Sequence, residues 1–275
     1  MRIKRTLQAI LLGLCAVAGQ SQADETLWAA GVTQESGWND TNKASAADSE
    51  FCWGIAAANL LAWWQEQHRA EVPPGTPTGK EVWQVIRQSF SNVGSDPDQA
   101  IRWWFSGQYE PAQPESCARI TDPQTGAYYK EHEMVRGGEV ASRLLYYGRR
   151  DTVNAHKLTQ ALHSGFRRGD AFWIGVCYLR ANGQYYYHSL NLWGIDCRTQ
   201  ADGTPSITAI YMTDSDDRQQ LLHRIPVRED GGMLIFDCAD HPLYGRIGRI
   251  AIDTFTGMRL TPQPVGEPHS PSSAE

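Results

Sequence analysis

Between Phe51 and Trp64 the chain reads FCWGIAAANLLAWW, a run in which every residue except Asn59 is apolar or small. A helix that is apolar on all sides cannot rest on a surface and must be wrapped by the rest of the protein. The run therefore predicts an interior helix over Cys52 to Gln67. Ser49 is the expected N-cap, which sets Glu50 and Cys52 in the first turn, beside unpaired backbone N–H groups and the positive end of the helix dipole. The wrapping is available. The chain has 275 residues, 41% of them hydrophobic and 10% aromatic, enough for one large domain or two modest ones.

Patterning divides the chain into a helical front and a strand-rich back. Helices are expected at Lys80 to Phe90, after Pro97 through Phe105, at Glu139 to Tyr147 and at Asn154 to Phe166, with an irregular, proline-bearing stretch from Gly107 to Gly126. From Ala171 onward β-branched and aromatic runs alternate with turn residues. Strands are expected at Phe172 to Leu179, Tyr185 to Ile195, Ile207 to Thr213, Leu221 to Val227, Gly232 to Asp237 and Arg249 to Phe255, with Asn182-Gly183 as a hairpin turn. The fold class this predicts is α+β, a helical front half with the buried helix packed on a mostly antiparallel sheet.

Residues 1–23 carry Arg2, Lys4 and Arg5, then the apolar run Leu7 to Ala18, then Ser21-Gln22-Ala23, the order of a secretory signal peptide cleaved after Ala23. The protein is thus expected to be secreted or periplasmic, with no membrane span, because no apolar run approaches the length that crosses a bilayer. Residues 24–260 form the expected domain, and the Pro- and Ser-rich 261–275 an expected disordered tail. Loss of the leader removes three bases and no acids, so the formal charge of -6 becomes -9. An acidic chain without clustered Lys and Arg argues against a nucleic-acid partner. Five cysteines remain: Cys52, Cys117, Cys177, Cys197 and Cys238. An odd count leaves at least one thiol without an internal partner.

Cys52 is the first candidate for chemistry, since a helix N-terminus stabilises a thiolate and so activates it. His188 is the second. A hairpin joining Tyr185–Ile195 to Ile207–Thr213 with its midpoint near Ala201 sets residue 188 opposite about residue 214, which is aspartate. A one-residue slip would bring Ser215 there instead. A carboxylate beside an imidazole fixes its tautomer and favours its protonated form. Together Cys52, His188 and Asp214 make a nucleophile, a base and an orienting acid.

The segments GWNDTNK (Gly37–Lys43), FCWGIAAANLLAWW (Phe51–Trp64), HSLNLWGID (His188–Asp196) and AIYMTDSDD (Ala209–Asp217) resemble, in order and approximate spacing, the streptococcal immunoglobulin G-degrading cysteine peptidases of the IdeS/Mac type. The likeness extends more weakly through PDQAIRWWFSGQY (Pro97–Tyr109) and RGG (Arg136–Gly138). The resemblance implies a papain-like fold and a cysteine endopeptidase without cofactor, acting on a protein substrate for which immunoglobulin G is the candidate. It implies Cys52 as nucleophile, His188 as base and Asp214 as its orienting acid. Asp216 is then a second acid supporting the site, and Lys43 a lysine that helps form the oxyanion hole. Positive charge aimed at a developing oxyanion is physically sensible. The sequence departs from that pattern in a longer loop over Arg198 to Pro205, in Phe51 and Trp53 beside the nucleophile, and in four further cysteines that predict one or two disulfides.

Two other classes stay open: a papain-like amidase or acyltransferase acting on cell-wall peptides, and an exported binding protein that uses the same cleft without chemistry. The pairs Trp63-Trp64 and Trp103-Trp104 are expected to put one ring of each in the core and the other toward a cleft. No metal site is expected, because His132-Glu133 lacks the second histidine of a zinc-peptidase helix, Arg136 standing in its place.

Overall fold

The computed structural model describes residues 25–111, 113–132, 143–149, 154–180, 182–239, 241 and 244–263. The leader, the RGG segment and most of the expected tail lie outside the described residues. Four α-helices are present among the described residues: α1 (Cys52–Gln67), α2 (Lys80–Ser89), α3 (Pro97–Ser106) and α4 (Ala155–Arg167). Eight strands accompany them: β1 (Glu25–Trp28), β2 (Leu145–Arg149), β3 (Ala171–Leu179), β4 (Tyr185–Thr199), β5 (Pro205–Thr213), β6 (His223–Asp230), β7 (Met233–Phe236) and β8 (Ile250–Met258).

Contrary to expectation, the strands do not form the sheet of a papain-like α+β, helix-plus-sheet fold. Strands β4, β3, β8, β7, β6 and β5 pair in that order, and β5 pairs back onto β4, so six antiparallel strands close into a barrel. β1 adds to β4 and β2 to β8 as the two extra strands. Alternating apolar residues specify one buried face, and that face is served equally by an open sheet under helices and by a barrel interior. Closure depends on the pairing of β3 with β8, which is remote in sequence and which no local pattern encodes, and on the link between β7 and β8 at Ile235 and Ala251. Register shifts at Gly175/Val176, Leu192/Gly194 and Asp196/Cys197 supply the local bending that a closed sheet needs.

The interior helix is where its composition requires. α1 packs against α2, α3, β4 and β3, and Trp53, Ala57, Leu60, Leu61, Trp63 and Trp64 are wholly buried. All four rings of Trp63-Trp64 and Trp103-Trp104 are core, so neither pair turns a ring outward as expected. Ser49 does not cap α1. Phe51 occupies that position without a side-chain hydrogen bond, and the capping box sits one step earlier, where Ser45 and Asp48 close the short 3₁₀ helix Ala46–Asp48. The helix expected over Glu139–Tyr147 gives way to β2 at Leu145, where Tyr146-Tyr147 favours the ladder with β8. β1 has no counterpart among the expected strands. The expected disulfides are absent: Cys52, Cys117, Cys197 and Cys238 are free thiols, and the Cys177 thiol donates to Asp253 Oδ1 at 3.9 Å.

Candidate active site

Cys52 opens α1, partly exposed, at the foot of a cleft of about 920 Å³ that His188 and Ser189 of β4 also line. Its position is fixed from several sides. Asp48, wholly buried, accepts from the Ala44 and Ser45 backbone N–H groups at 3.1 Å each and from Arg87 Nε of α2 at 2.5 Å. The Glu50 N–H donates to Asn92 Oδ1 at 3.0 Å. These bonds pin the turn that feeds the helix.

His188 is buried near the cleft end of β4, and its Nε2 meets Asp214 Oδ1 at 2.6 Å. That bond leaves Nδ1 as the nitrogen open to the Cys52 thiol; it is buried without any nitrogen or oxygen partner. Burial alone would raise the thiol pKa, but the hydrogen bond and charge of His188, the Ser189 N–H and the charge of Lys43 outweigh it, and Cys52 is held below its ordinary value. Burial likewise opposes a charged imidazole. Asp214 and Cys52 reverse that too, and His188 titrates well above its usual range. The pair therefore favours thiolate and imidazolium over thiol and imidazole.

Asp214 is a fully served carboxylate. Oδ1 also accepts from the Asp216 N–H at 2.9 Å, and Oδ2 accepts from the Tyr244 hydroxyl at 2.5 Å. Burial would push its carboxyl up, yet His188, Tyr244 and the Asp216 N–H hold it well below the ordinary range. Lys43 reaches the same site from the segment before α1. Its Nζ contacts Asp216 Oδ1 at 2.6 Å and donates to the Ser49 carbonyl at 2.7 Å, while its backbone N–H donates to the Ser215 carbonyl at 2.9 Å. Lys43, Cys52, His188, Asp214 and Asp216 are thus gathered at one place from four separate stretches of chain. Phe51 and Trp53 are both core, and Trp53 also borders the cleft.

Three groups that sequence reasoning missed complete the arrangement. Asn59 and Asn191, both buried, join α1 to β4: Asn59 Nδ2 donates to Asn191 Oδ1, and Asn191 Nδ2 to the Ala56 carbonyl, each at 2.9 Å. Asn59 Oδ1 also accepts from the Thr41 N–H at 3.2 Å, which ties in the strap that carries Lys43. Asn59 was detectable as the lone amide in an apolar run. Tyr244 carried no such signal, because it lies in an irregular stretch after β7.

Among the described residues, the one group of three metal-ligand side chains with donor atoms within 4.8 Å of one another is His188, Asp214 and Asp216. His188 Nε2 and Asp214 Oδ1 already serve each other, and Asp216 Oδ1 serves Lys43. No protein-family model matches the chain, and no curated protein matches it. Among the described residues no helix is long and apolar enough to cross a membrane.

Proposed function

We propose that the protein is a cysteine endopeptidase that hydrolyses peptide bonds of a protein substrate. One observation carries the reading: a thiol at a helix N-terminus, beside an imidazole whose far nitrogen is held by a buried carboxylate, on the wall of a cleft large enough for an extended peptide. Thiolate and imidazolium coexist between the lowered pKa of Cys52 and the raised pKa of His188, and that interval is the working window.

The Cys52 thiolate attacks the scissile carbonyl carbon. The resulting oxyanion is stabilised by the Cys52 backbone N–H and by the Lys43 ammonium, aimed there by Asp216 and the Ser49 carbonyl. The tetrahedral intermediate collapses as His188 protonates the departing amine, breaking the C–N bond and leaving a thioester on Cys52. His188 then takes a proton from water as the oxygen attacks the thioester carbon, and collapse breaks the C–S bond, releasing the carboxylic acid and restoring the Cys52 thiolate beside the His188 imidazolium. Asp214 keeps the ring aimed through both halves. The motif resemblance makes immunoglobulin G the first substrate to try, and the leader read in residues 1–23 supports an exported enzyme.

The test is incubation of the purified protein with a panel of folded proteins, immunoglobulin G included, and with cell-wall peptide fragments, products being read by mass. Cleavage of a protein at a defined bond is expected, with Cys52→Ala inactive and still folded. Turnover by Cys52→Ala at the parental rate would remove the thiol mechanism, and products from wall fragments alone would move the assignment to an amidase.

A further inference from the structure

A catalytic aspartate has two oxygens, and here the one turned away from the histidine ends on a phenol. Tyr244 is buried, and its hydroxyl donates to Asp214 Oδ2 at 2.5 Å, its one hydrogen bond among the described residues. Its ring is held edge-on by Phe236 of β7 and by His223 of β6, with centroids 5.8 and 6.2 Å away. Its backbone N–H points to His241 Nδ1 at 3.4 Å. With the His241 ring tilted against it at 4.9 Å as well, a side chain clamped on three sides and aimed at a single acceptor is built to hold that acceptor still.

We propose that Tyr244 is a positioning residue that keeps Asp214 anionic and oriented, and thereby sets the pH interval over which Cys52 and His188 exist as an ion pair. The proposal rests on the reading of Cys52, His188 and Asp214 as the catalytic set.

The chemistry of the donor fits the task. Burial and the neighbouring carboxylates push the Tyr244 phenol far above its ordinary value, so it stays protonated and remains a donor wherever the thiolate survives. The other charged or titratable groups facing this centre are Asp216 and Asp217 on the same turn, Asp40 and Lys43 from the strap before α1, Tyr186 on β4, His223 on β6 and His241 after β7. Asp217 is already engaged by His223 at 2.5 Å and Asp216 by Lys43, so Tyr244 is the side chain other than His188 that donates to Asp214.

The sign of the effect follows. Tyr244→Phe keeps the shape and removes the donor, leaving Oδ2 buried without a partner. Asp214 becomes a poorer anion, the imidazolium loses support, and the thiolate loses part of its counterion. The acid limit of the ion pair moves up and its alkaline limit moves down.

The experiment needs no substrate. The rate of Cys52 alkylation by iodoacetamide is measured from pH 4 to 10 in the parent, Tyr244→Phe, Asp214→Asn and the double variant. The donor's worth to a carboxylate is equivalent to about one to two pH units. Part of that reaches the thiol, so each limit is expected to shift by roughly half a unit or more, narrowing the window. In the Asp214→Asn background, Tyr244→Phe should add no further shift. Parental limits retained in a folded Tyr244→Phe protein would overturn the proposal. If the parent itself alkylated as an ordinary thiol, the catalytic reading would be what failed. Should Tyr244→Phe not fold, a fluorinated tyrosine at position 244 gives a stronger donor of nearly the same shape; a widened window is expected and an unchanged one refutes the idea.

Discussion

Replacing Asn191 by alanine tests whether the amide pair is what holds the helix bearing Cys52 against the strand bearing His188. Asn191 is 2% exposed and Asn59 3%, so neither amide has recourse to solvent. The substitution deletes two hydrogen bonds of 2.9 Å, one to the Ala56 carbonyl and one from Asn59 Nδ2. At about 1 kcal/mol for each bond and about 1–3 kcal/mol for the stranded Asn59 donor, less what relaxation recovers, the expected loss is about 2–4 kcal/mol. For a chain of this size that corresponds to a fall in Tm of roughly 5–15 °C. Thermal unfolding followed by circular dichroism measures it. The same variant should alkylate more slowly at Cys52, because α1 and β4 are no longer locked in register with one another. A Tm within about 2 °C of the parent would refute the idea that these amides fix the geometry.

Lys43→Ala is expected to lower kcat by roughly 10²-fold with a smaller change in KM, since removing an oxyanion donor is felt in the transition state; steady-state kinetics on whichever substrate is cleaved decides, and a pure KM effect would reassign the lysine to binding. Asp214→Asn should depress turnover by about 10³–10⁴-fold, measured on the same substrate. Asp40 gives a stability prediction. Burial, with Asp217 and Asp214 nearby, lifts its carboxyl from 3.8 to about 7 against the pull of the Leu221 N–H. Between those values the folded protein holds a proton that the unfolded chain has released, so this group makes stability fall as pH rises. Asp40→Asn, which keeps an acceptor for Leu221, should therefore raise Tm at pH 8 and change it little at pH 5; equal effects at both would show that Asp40 is ionised throughout.

Cys52 and His188 could be singled out from sequence because their signals are short-range: an apolar run with a thiol at its head, and a histidine in an aromatic strand whose hairpin partner ends in acids. Their acid was found by a construction that differs in detail from the structure. The β4–β5 ladder ends at Asn191 and Thr213 after two register shifts, so Asp214 is not a ladder partner of His188. The chain turns off the strand at Asp214 and brings the carboxylate to the ring regardless. Barrel closure was not legible, because period-two patterning reports one buried face and says nothing of whether the outermost strands meet. Nor was Tyr244, whose role depends on a loop packing against strands from another part of the chain. Lys43 and Asp216 rested on motif likeness alone, and the ion pair between them is a contact across more than 170 residues of sequence.

That long reach has a consequence for the newly made protein. The sulfur is synthesised early, while its proton acceptor, that acceptor's carboxylate and the phenol behind it come 136, 162 and 192 residues later. On the proposed reading, a chain still emerging from the ribosome lacks the imidazole that would ionise its thiol, and the ion pair can form only once the last third has docked. If the protein is the proposed peptidase, that timing keeps a half-made copy inactive inside the producing cell.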